Sequence, residues 1–171
     1  IKTSLKKICL GDSISCSGIC LTVYKKDTNS FWVNVSSETV KKTNIKGFSY
    51  GQKINLEQSL RMGDELGGHL VFGHVDYVSK VKNIKKIKDS HEILFSVEKK
   101  ISKFLVSKGS ISIDGVSLTI NKVTETDFSV NIIPYTWENT SFKNIKIGDL
   151  VNTEVDMLAR YALKAMEVWK K

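Results

Sequence analysis

Four kinds of side chain in this sequence can carry nucleophilic or acid–base chemistry. A thiol at Cys20 and a hydroxyl at Ser117 each lie two residues after a glycine in a β-rich segment, a carboxylate at Asp156 follows a third such segment, and two imidazoles, His69 and His74, lie five residues apart. Enzymes use these groups as nucleophiles and as general acids or bases. They indicate two related small-molecule pockets, of which only one has a full acid–base set.

Each of these residues also has an ordinary structural interpretation. A cysteine on an apolar strand is more often a small core residue, and a carboxylate at Asp156 suits the N-cap of a helix. Ser117 is not in a nucleophile elbow, because the sequence Gly-x-Ser-x-Thr lacks the second glycine. His69 and His74 lack the spacing of a helical metal pair, and Gly67-Gly68 is not followed by the Lys-Ser/Thr of a phosphate loop, so neither kind of site is predicted.

An internal repeat with an offset of 97 residues connects these positions. Residues 13–23 match residues 110–120, the match continues without a gap, and 16 of the 47 positions from 13 to 59 are identical to their counterparts. Such self-similarity indicates a duplicated structural unit. Cys20 falls on Ser117, so the two copies of one domain carry different chemistry at equal positions.

Short β-rich segments punctuated by glycine and asparagine predict a small barrel or sandwich. Each intact copy offers about six strands, and in the second copy two strand candidates, residues 70–81 and 92–97, precede the repeated part. The first copy lacks counterparts of these two strands, from which we infer that roughly 26 to 28 residues precede Ile1. Residues 3–10 have a pattern compatible with a short helix.

The predicted organisation has four parts: a first barrel in residues 1–60, a glycine-rich linker in 61–70, a second barrel in 71–156 and a C-terminal helix in 157–171. The linker is too short to let the two domains drift far apart. The helix is predicted from apolar residues at helical spacing, and such an amphipathic helix needs a surface to cover, for which self-association is one candidate. Its apolar stripe consists of Leu158, Tyr161, Ala162, Ala165, Met166 and Trp169.

Composition argues against several other classes of protein. The net charge of +8 comes from 24 lysines and only 2 arginines, whereas reading of base edges favours arginine, so nucleic-acid binding is not predicted. The three cysteines lack a Cys-x-x-Cys pair, which predicts neither a disulfide framework nor a zinc site and is typical of the reducing cytoplasm. No run approaches the ~18 apolar residues of a membrane span.

Several stretches of the chain resemble the riboflavin synthase family, whose members contain two lumazine-binding barrels. The most specific stretch is the junction GGHLVFGHVD at residues 67–76, and GDSISCSGICLTV at 11–23 and KGSISIDGVSLT at 108–119 resemble the family as well. The likeness runs in order through nearly all of the chain. It implies an all-β fold of two tandem, pseudo-symmetric, six-stranded Greek-key barrels followed by a C-terminal α-helix.

The resemblance also implies an activity. Family members convert two molecules of 6,7-dimethyl-8-ribityllumazine into riboflavin and 5-amino-6-ribitylamino-uracil by transfer of a four-carbon unit, without a metal or redox cofactor. They do so as homotrimers, with each active site between the N-terminal barrel of one subunit and the C-terminal barrel of another, and lumazine synthase is an expected partner. The pseudo-symmetry of the chain suits a reaction that joins two identical substrates in opposed orientation.

By the same resemblance, thirteen residues are expected at the site. Those expected in the chemistry are Cys20, His74, Ser117, Thr119, Asp156 and Lys108. Those expected to bind the ring or the ribityl chain are Ser13, Thr22, Glu38, Thr39, Ser110, Ile133 and Thr136.

The chain departs from the family pattern at two places: Phe72 stands where serine is common, and Ser36-Ser37 replaces a frequent Met-Pro pair. The family's opening Phe-Thr-Gly segment is absent from the sequence.

Two alternatives stay open. One is a non-catalytic lumazine- or flavin-binding protein with the same two barrels, which would have no need of Cys20, His74, Ser117 and Asp156 together. The other is a basic nucleic-acid-binding barrel, which predicts steep salt dependence of binding and leaves the junction histidines unexplained.

Overall fold

The computed structural model describes residues 1–169, which contain ten antiparallel strands, four α-helices and two 3-10 helices, Asn44–Gly47 and Ser141–Asn144. The strands are β1 (Ser13–Cys16), β2 (Ile19–Asp27), β3 (Ser30–Val33), β4 (Leu56–Gln58), β5 (Tyr77–Ile87), β6 (Ser90–Ser96), β7 (Ser110–Ile113), β8 (Val116–Val123), β9 (Asp127–Ile132) and β10 (Leu150–Val155). The helices are α1 (Ser37–Lys42), α2 (Lys99–Ser102), α3 (Pro134–Asn139) and α4 (Met157–Trp169).

The second half of the chain forms a closed six-stranded barrel in the order β10-β5-β6-β9-β8-β7. Strands β7, β8 and β9 form a meander. The preceding strand, β6, is connected to β7 through α2 but pairs with β9, and this order is a Greek key. Closure removes the unpaired edges that an open sheet would expose. The fully buried side chains that fill the barrel include Phe95, Phe128, Ile93, Ile111, Ile120 and Val130.

The first half forms a four-stranded sheet in the order β3-β2-β1-β4, which repeats the order β9-β8-β7-β10 of the barrel. The register repeats as well, since Ser13 pairs with Thr22 as Ser110 pairs with Thr119. Both halves even carry an irregularity at the same place, directly after Val23 and its counterpart Ile120. The closed Greek-key barrel is thus confirmed for the second copy, and the first copy shows the four repeated strands within the described residues.

Two local predictions need comment. The short helix predicted for residues 3–10 is wrong, because this segment is irregular; the preceding Lys2 forms an isolated bridge with Ser30. Its apolar residue Ile8 is buried in the core of the first sheet, so packing rather than helical periodicity fixes the segment. The C-terminal helix is present as α4, and residues 170 and 171 lie outside the described part.

The two halves meet at their first hairpin turns. Ser17 and Asp114 both have φ of +47°, and the following Gly18 and Gly115 have φ of +77° and +82°, which is the left-handed pair that a two-residue type I′ hairpin requires. A Cβ on Gly18 would lie 2.7 Å from the backbone nitrogen of Gly115. Only glycine therefore fits where the turns touch.

Two asparagines connect the halves by reciprocal hydrogen bonds. Asn55 Nδ2 donates to the Asp114 carbonyl, and its counterpart Asn152 Nδ2 donates to the Ser17 carbonyl, both at 2.9 Å. The Asn152 side-chain oxygen accepts from the Asn44 N–H at 2.9 Å, just as the Asn55 oxygen accepts from the Ser141 N–H at 2.8 Å. This exchange is a pseudo-twofold contact, in which each half makes the same bonds to the other.

One buried acid breaks the symmetry of this contact. Asp114 is only 8% exposed and accepts a hydrogen bond from the Asn152 N–H, while its counterpart is Ser17. Burial raises the pKa of Asp114 to about 7, against the lowering effect of that hydrogen bond. The carboxyl group is therefore partly protonated near neutral pH.

An ion pair connects the first turn of helix α4 to Asp76, the residue before β5. Arg160 lies 2.8 Å from the carboxylate of Asp76, which also accepts the Val155 N–H at 2.9 Å. Much of the apolar surface of the helix is uncovered, and Trp169 is 90% exposed. Within residues 1–169, no helix is long and apolar enough to cross a membrane.

The contact between the turns predicts different costs for two otherwise similar substitutions. Gly18→Ala and Gly51→Ala both place alanine at a left-handed φ, of +77° and +80°, which costs about 1–2 kcal/mol. Only Gly18 lacks space for a Cβ, so its substitution is expected to lower the free energy of unfolding by about 1–3 kcal/mol more. Urea denaturation of the two variants measures the difference, and equal losses would contradict the proposed role of the contact.

Candidate active site

The outer faces of β2 and β8 carry the predicted chemistry because their inner faces are committed to the core. In β2, Ile19 and Leu21 are buried while Cys20 and Thr22 between and after them are exposed. Side chains alternate across a strand, so all polar residues of this set share one face. The same holds for the exposed Ser117 and Thr119 of β8.

Strand pairing adds one more hydroxyl to each set. Ser13 lies opposite Thr22, and Ser110 lies opposite Thr119, and directly opposed residues project to the same face of a sheet. The structure therefore places the same pair of hydroxyls in each half, beside a position that is a thiol at Cys20 and a hydroxyl at Ser117.

Helices α1 and α3 occupy equal places after β3 and β9. Ser36 caps α1 by accepting the Thr39 N–H at 3.0 Å, and Ile133 precedes Pro134 at the start of α3. Thr39 and its counterpart Thr136 are half-buried, and the carbonyl of each accepts a threonine hydroxyl at 2.7 Å. Glu38 and Ile133 are exposed. These predicted binding residues thus sit on matched, locally fixed turns.

Lys108 holds an unusual backbone conformation. Its φ is +69°, whereas the corresponding position of the first half is Gly11, with φ of +86°. A lysine in the left-handed region costs of order 1–3 kcal/mol, and such residues cluster at functional sites. Lys108 is exposed and lies two residues before β7, which begins with Ser110.

The junction brings His69 to Ser117. The Nδ1 atom of His69 lies 2.7 Å from Ser117 Oγ, which also accepts the His69 N–H at 3.4 Å. Since that oxygen accepts from the backbone, the hydroxyl proton is free to be donated to Nδ1 of a neutral imidazole. Gly68 makes the approach possible, because a Cβ there would lie 2.6 Å from Ser117 Oγ.

Five residues later, the junction meets Cys20 in a similar way. The Cys20 N–H donates to the Gly73 carbonyl at 2.9 Å, and a Cβ on Gly73 would lie 2.7 Å from the Cys20 Cβ. The exposed His74 follows directly, with its ring 6.1 Å from that of Phe72. A glycine of the junction therefore packs against each of two equivalent positions, Ser117 and Cys20, and a histidine follows each glycine in the chain.

Asp156 lies at the start of α4, where its carboxylate accepts the Leu158 N–H at 2.9 Å. This is the helix-capping contact that the sequence allowed. The other cysteines differ from the exposed Cys20, since Cys16 is fully buried and burial raises its pKa to about 12, and Cys9 lies outside the repeated strands.

One groove of about 1070 Å³ runs between the halves. Of the thirteen residues expected from the resemblance it is lined by Ser13, Cys20 and Ser117, together with His69, which the sequence had offered as a candidate acid–base group. The remaining ten predicted residues do not line this groove, so it gathers only part of the predicted site. No group of three or more His, Cys, Asp or Glu residues in the described part of the chain could hold a metal ion.

Sequence reasoning missed the contact of His69 with Ser117 and the role of Glu154. The Glu154 carboxylate is 3% exposed and accepts the N–H groups of Phe72, Gly73 and His74. The repeat offered one signal for this residue, because Glu154 is identical to Glu57 at the equivalent position.

Both halves of the chain match one known type of domain. The model of the lumazine binding domain matches residues 1–59 and again residues 72–156. Among solved structures, LumP complexed with 6,7-dimethyl-8-(1'-D-ribityl) lumazine has a similar fold, with a TM-score of 0.77 over 86% of this chain and 79% of that chain, at 24% sequence identity.

Proteins of similar sequence identify the family more narrowly. Riboflavin synthase of Brucella abortus is 42% identical over 94% of this chain and 82% of its own length, and riboflavin synthase of Photobacterium phosphoreum is 41% identical over 97% and 76%. The chain therefore belongs to the riboflavin synthase family, and it is an enzyme of the lumazine-binding fold.

The environment of His69 predicts its titration. Burial lowers the pKa of His69 below its ordinary value of 6.5, and the charge of Asp156 opposes this effect. We expect its imidazole signal in an NMR titration, assigned with His69→Gln, to have a midpoint below 6.5. Asp156→Asn should lower the midpoint further. A midpoint at or above the ordinary value would contradict the half-buried environment of the ring.

Proposed function

We propose that this protein is a riboflavin synthase that converts two molecules of 6,7-dimethyl-8-ribityllumazine into riboflavin and 5-amino-6-ribitylamino-uracil. One observation carries the proposal: the same pair of opposed hydroxyls, Ser13 with Thr22 and Ser110 with Thr119, occurs on two sheets related by a pseudo-twofold contact. Two such surfaces suit two copies of one ligand in opposed orientation. The names of the relatives and the ligand of the LumP structure support the same reading.

The chemistry assigns different tasks to the two half-sites. A proton must leave the 7-methyl group of one lumazine, a nucleophile must add to the other, and both rings must be held in place to overcome the entropy of a bimolecular step. We assign Cys20 and His74 to the first half-site, and Ser117, Thr119, Asp156 and Lys108 to the second. The ring and ribityl chain bind at Ser13, Thr22, Glu38, Thr39, Ser110, Ile133 and Thr136.

The complete site lies between subunits in this proposal. The first barrel (1–60) of one subunit faces the second barrel (71–156) of its neighbour, with residues 61–70 as the linker and the helix 157–171 at the trimer contact. The uncovered apolar side of α4 supports this assembly, since Leu158, Tyr161 and Trp169 are each more than two-thirds exposed. A cytoplasmic location and an association with lumazine synthase complete the proposal.

The activity is tested with a full-length protein and 6,7-dimethyl-8-ribityllumazine, without added metal or cofactor. We expect one riboflavin for every two substrates consumed, followed by its absorbance, and loss of turnover in Cys20→Ser combined with His74→Ala. The fold similarity to LumP favours one competitor, a lumazine- or flavin-binding protein without activity. Tight binding without turnover would establish that competitor instead.

A second experiment tests whether the site is shared between subunits. Thr22→Arg and Thr119→Arg place the same bulky cation at equivalent exposed positions of the two half-sites, so each variant alone is expected to be inactive. Co-expression with two different tags isolates mixed trimers, in which sites built from the two intact halves reappear. In a cyclic trimer of mixed composition, one of the three interfaces joins two intact halves, so doubly tagged trimers should recover about one third of the wild-type activity. No recovery in doubly tagged trimers would place both half-sites of each active site in one chain.

A further inference from the structure

The segment Phe72–His74 is held on one side by a single carboxylate. Glu154 Oε1 accepts the Phe72 N–H at 2.9 Å, and Oε2 accepts the N–H groups of Gly73 at 2.9 Å and His74 at 3.1 Å. Three successive backbone donors thus point at one side chain. Hydrogen bonds to an ionised acceptor are stronger than neutral ones and fix geometry more tightly.

The opposite side of the segment is held by Cys20. The Gly73 carbonyl accepts the Cys20 N–H at 2.9 Å, and Gly73 has a left-handed φ of +73° and no space for a Cβ against Cys20. The backbone is therefore confined between β10, which carries Glu154, and β2, which carries Cys20. His74 directly follows Gly73 at the end of this confined segment.

The carboxylate is not a surface group that solvent would satisfy. Glu154 is 3% exposed, and a buried charge is tolerated only when it is well bonded. Burial raises the pKa of Glu154, while the three N–H groups and the nearby His74 lower it. An isosteric amide cannot replace it, since a glutamine would turn an NH₂ group toward at least one of the N–H donors.

We propose that Glu154 is the positioning residue for His74: by clamping the backbone of Phe72–His74 against Cys20, it sets where the imidazole stands at the first half-site. This inference rests on the proposed function, in which His74 moves a proton. Glu154 itself acts only through the backbone and contacts no reacting atom. The stacked ring of Phe72, 6.1 Å from that of His74, belongs to the same clamped segment.

The test compares Glu154→Gln with Glu125→Gln. Glu125 is an exposed partner of Lys99 far along the chain from the junction, so its substitution removes a carboxylate without touching the clamp. We expect kcat of Glu154→Gln to fall roughly tenfold to a hundredfold, the effect of a small displacement of a reacting group, with KM changed much less. Glu125→Gln should keep the wild-type kcat. A wild-type kcat in a folded Glu154→Gln protein would overturn the proposal.

A double-mutant cycle separates positioning from a general structural effect. If Glu154 acts through His74, then Glu154→Gln should cost little further kcat in a His74→Gln background. Additive losses would show that Glu154 serves the fold and not His74, and would overturn the proposal. Should the glutamine variant not fold, Glu154→Asp, which keeps the charge on a shorter side chain, takes its place in the same cycle with the same two outcomes.

Amide hydrogen exchange keeps this inference separate from the proposed function. The N–H groups of Phe72, Gly73 and His74 are expected to be protected in the wild-type protein and to exchange faster in Glu154→Gln, and unaltered exchange would overturn the clamp whatever the activity. Absence of riboflavin formation by the wild-type protein, with the exchange pattern as expected, would instead defeat the proposed function and with it the catalytic meaning of the clamp.

Discussion

The rest of the structure depends on the close approach of two hairpin turns. Gly18 and Gly115 touch at a distance that excludes any side chain, and the reciprocal bonds of Asn55 and Asn152 lock the turns in this position. Each turn joins the two strands that carry one half-site, so the contact fixes the orientation of both half-sites together. A shift at this contact would move Cys20 and Ser117 relative to the junction, which packs against both.

The placement of chemistry on the outside follows from how the sheets are stabilised. Apolar residues of β2 and β8 must face the core, and the alternation of a strand then sends every second residue outward. Cys20, Thr22, Ser117 and Thr119 use these outward positions, where polarity costs nothing in packing. The junction then supplies the imidazoles that the sheet faces lack, and Gly68 and Gly73 allow it to pack closely against Ser117 and Cys20.

Much of this could be predicted from the sequence because the repeat carries it. The similarity of residues 13–59 to residues 110–156 predicted matching strands, and the glycines at 18 and 115 predicted matching turns. Contacts between distant residues could not be read in this way. Nothing local shows that Asn152 bonds to Ser17 or that Glu154 holds Phe72–His74, since these pairs are defined only after the chain has closed. The helix prediction for residues 3–10 was wrong for a related reason, because burial of Ile8 against the first sheet outweighed a helical pattern.

The reciprocal contact has an evolutionary consequence. The same set of bonds, made between two separate identical barrels, would be an isologous dimer interface, in which each substitution occurs twice. Duplication and fusion of the gene turn that association into an intramolecular one, with a high effective concentration of one barrel for the other. They also allow a substitution in one copy without the same substitution in the other. Asp114 can then replace a serine on one side only, and a thiol and a hydroxyl can be kept at equivalent places.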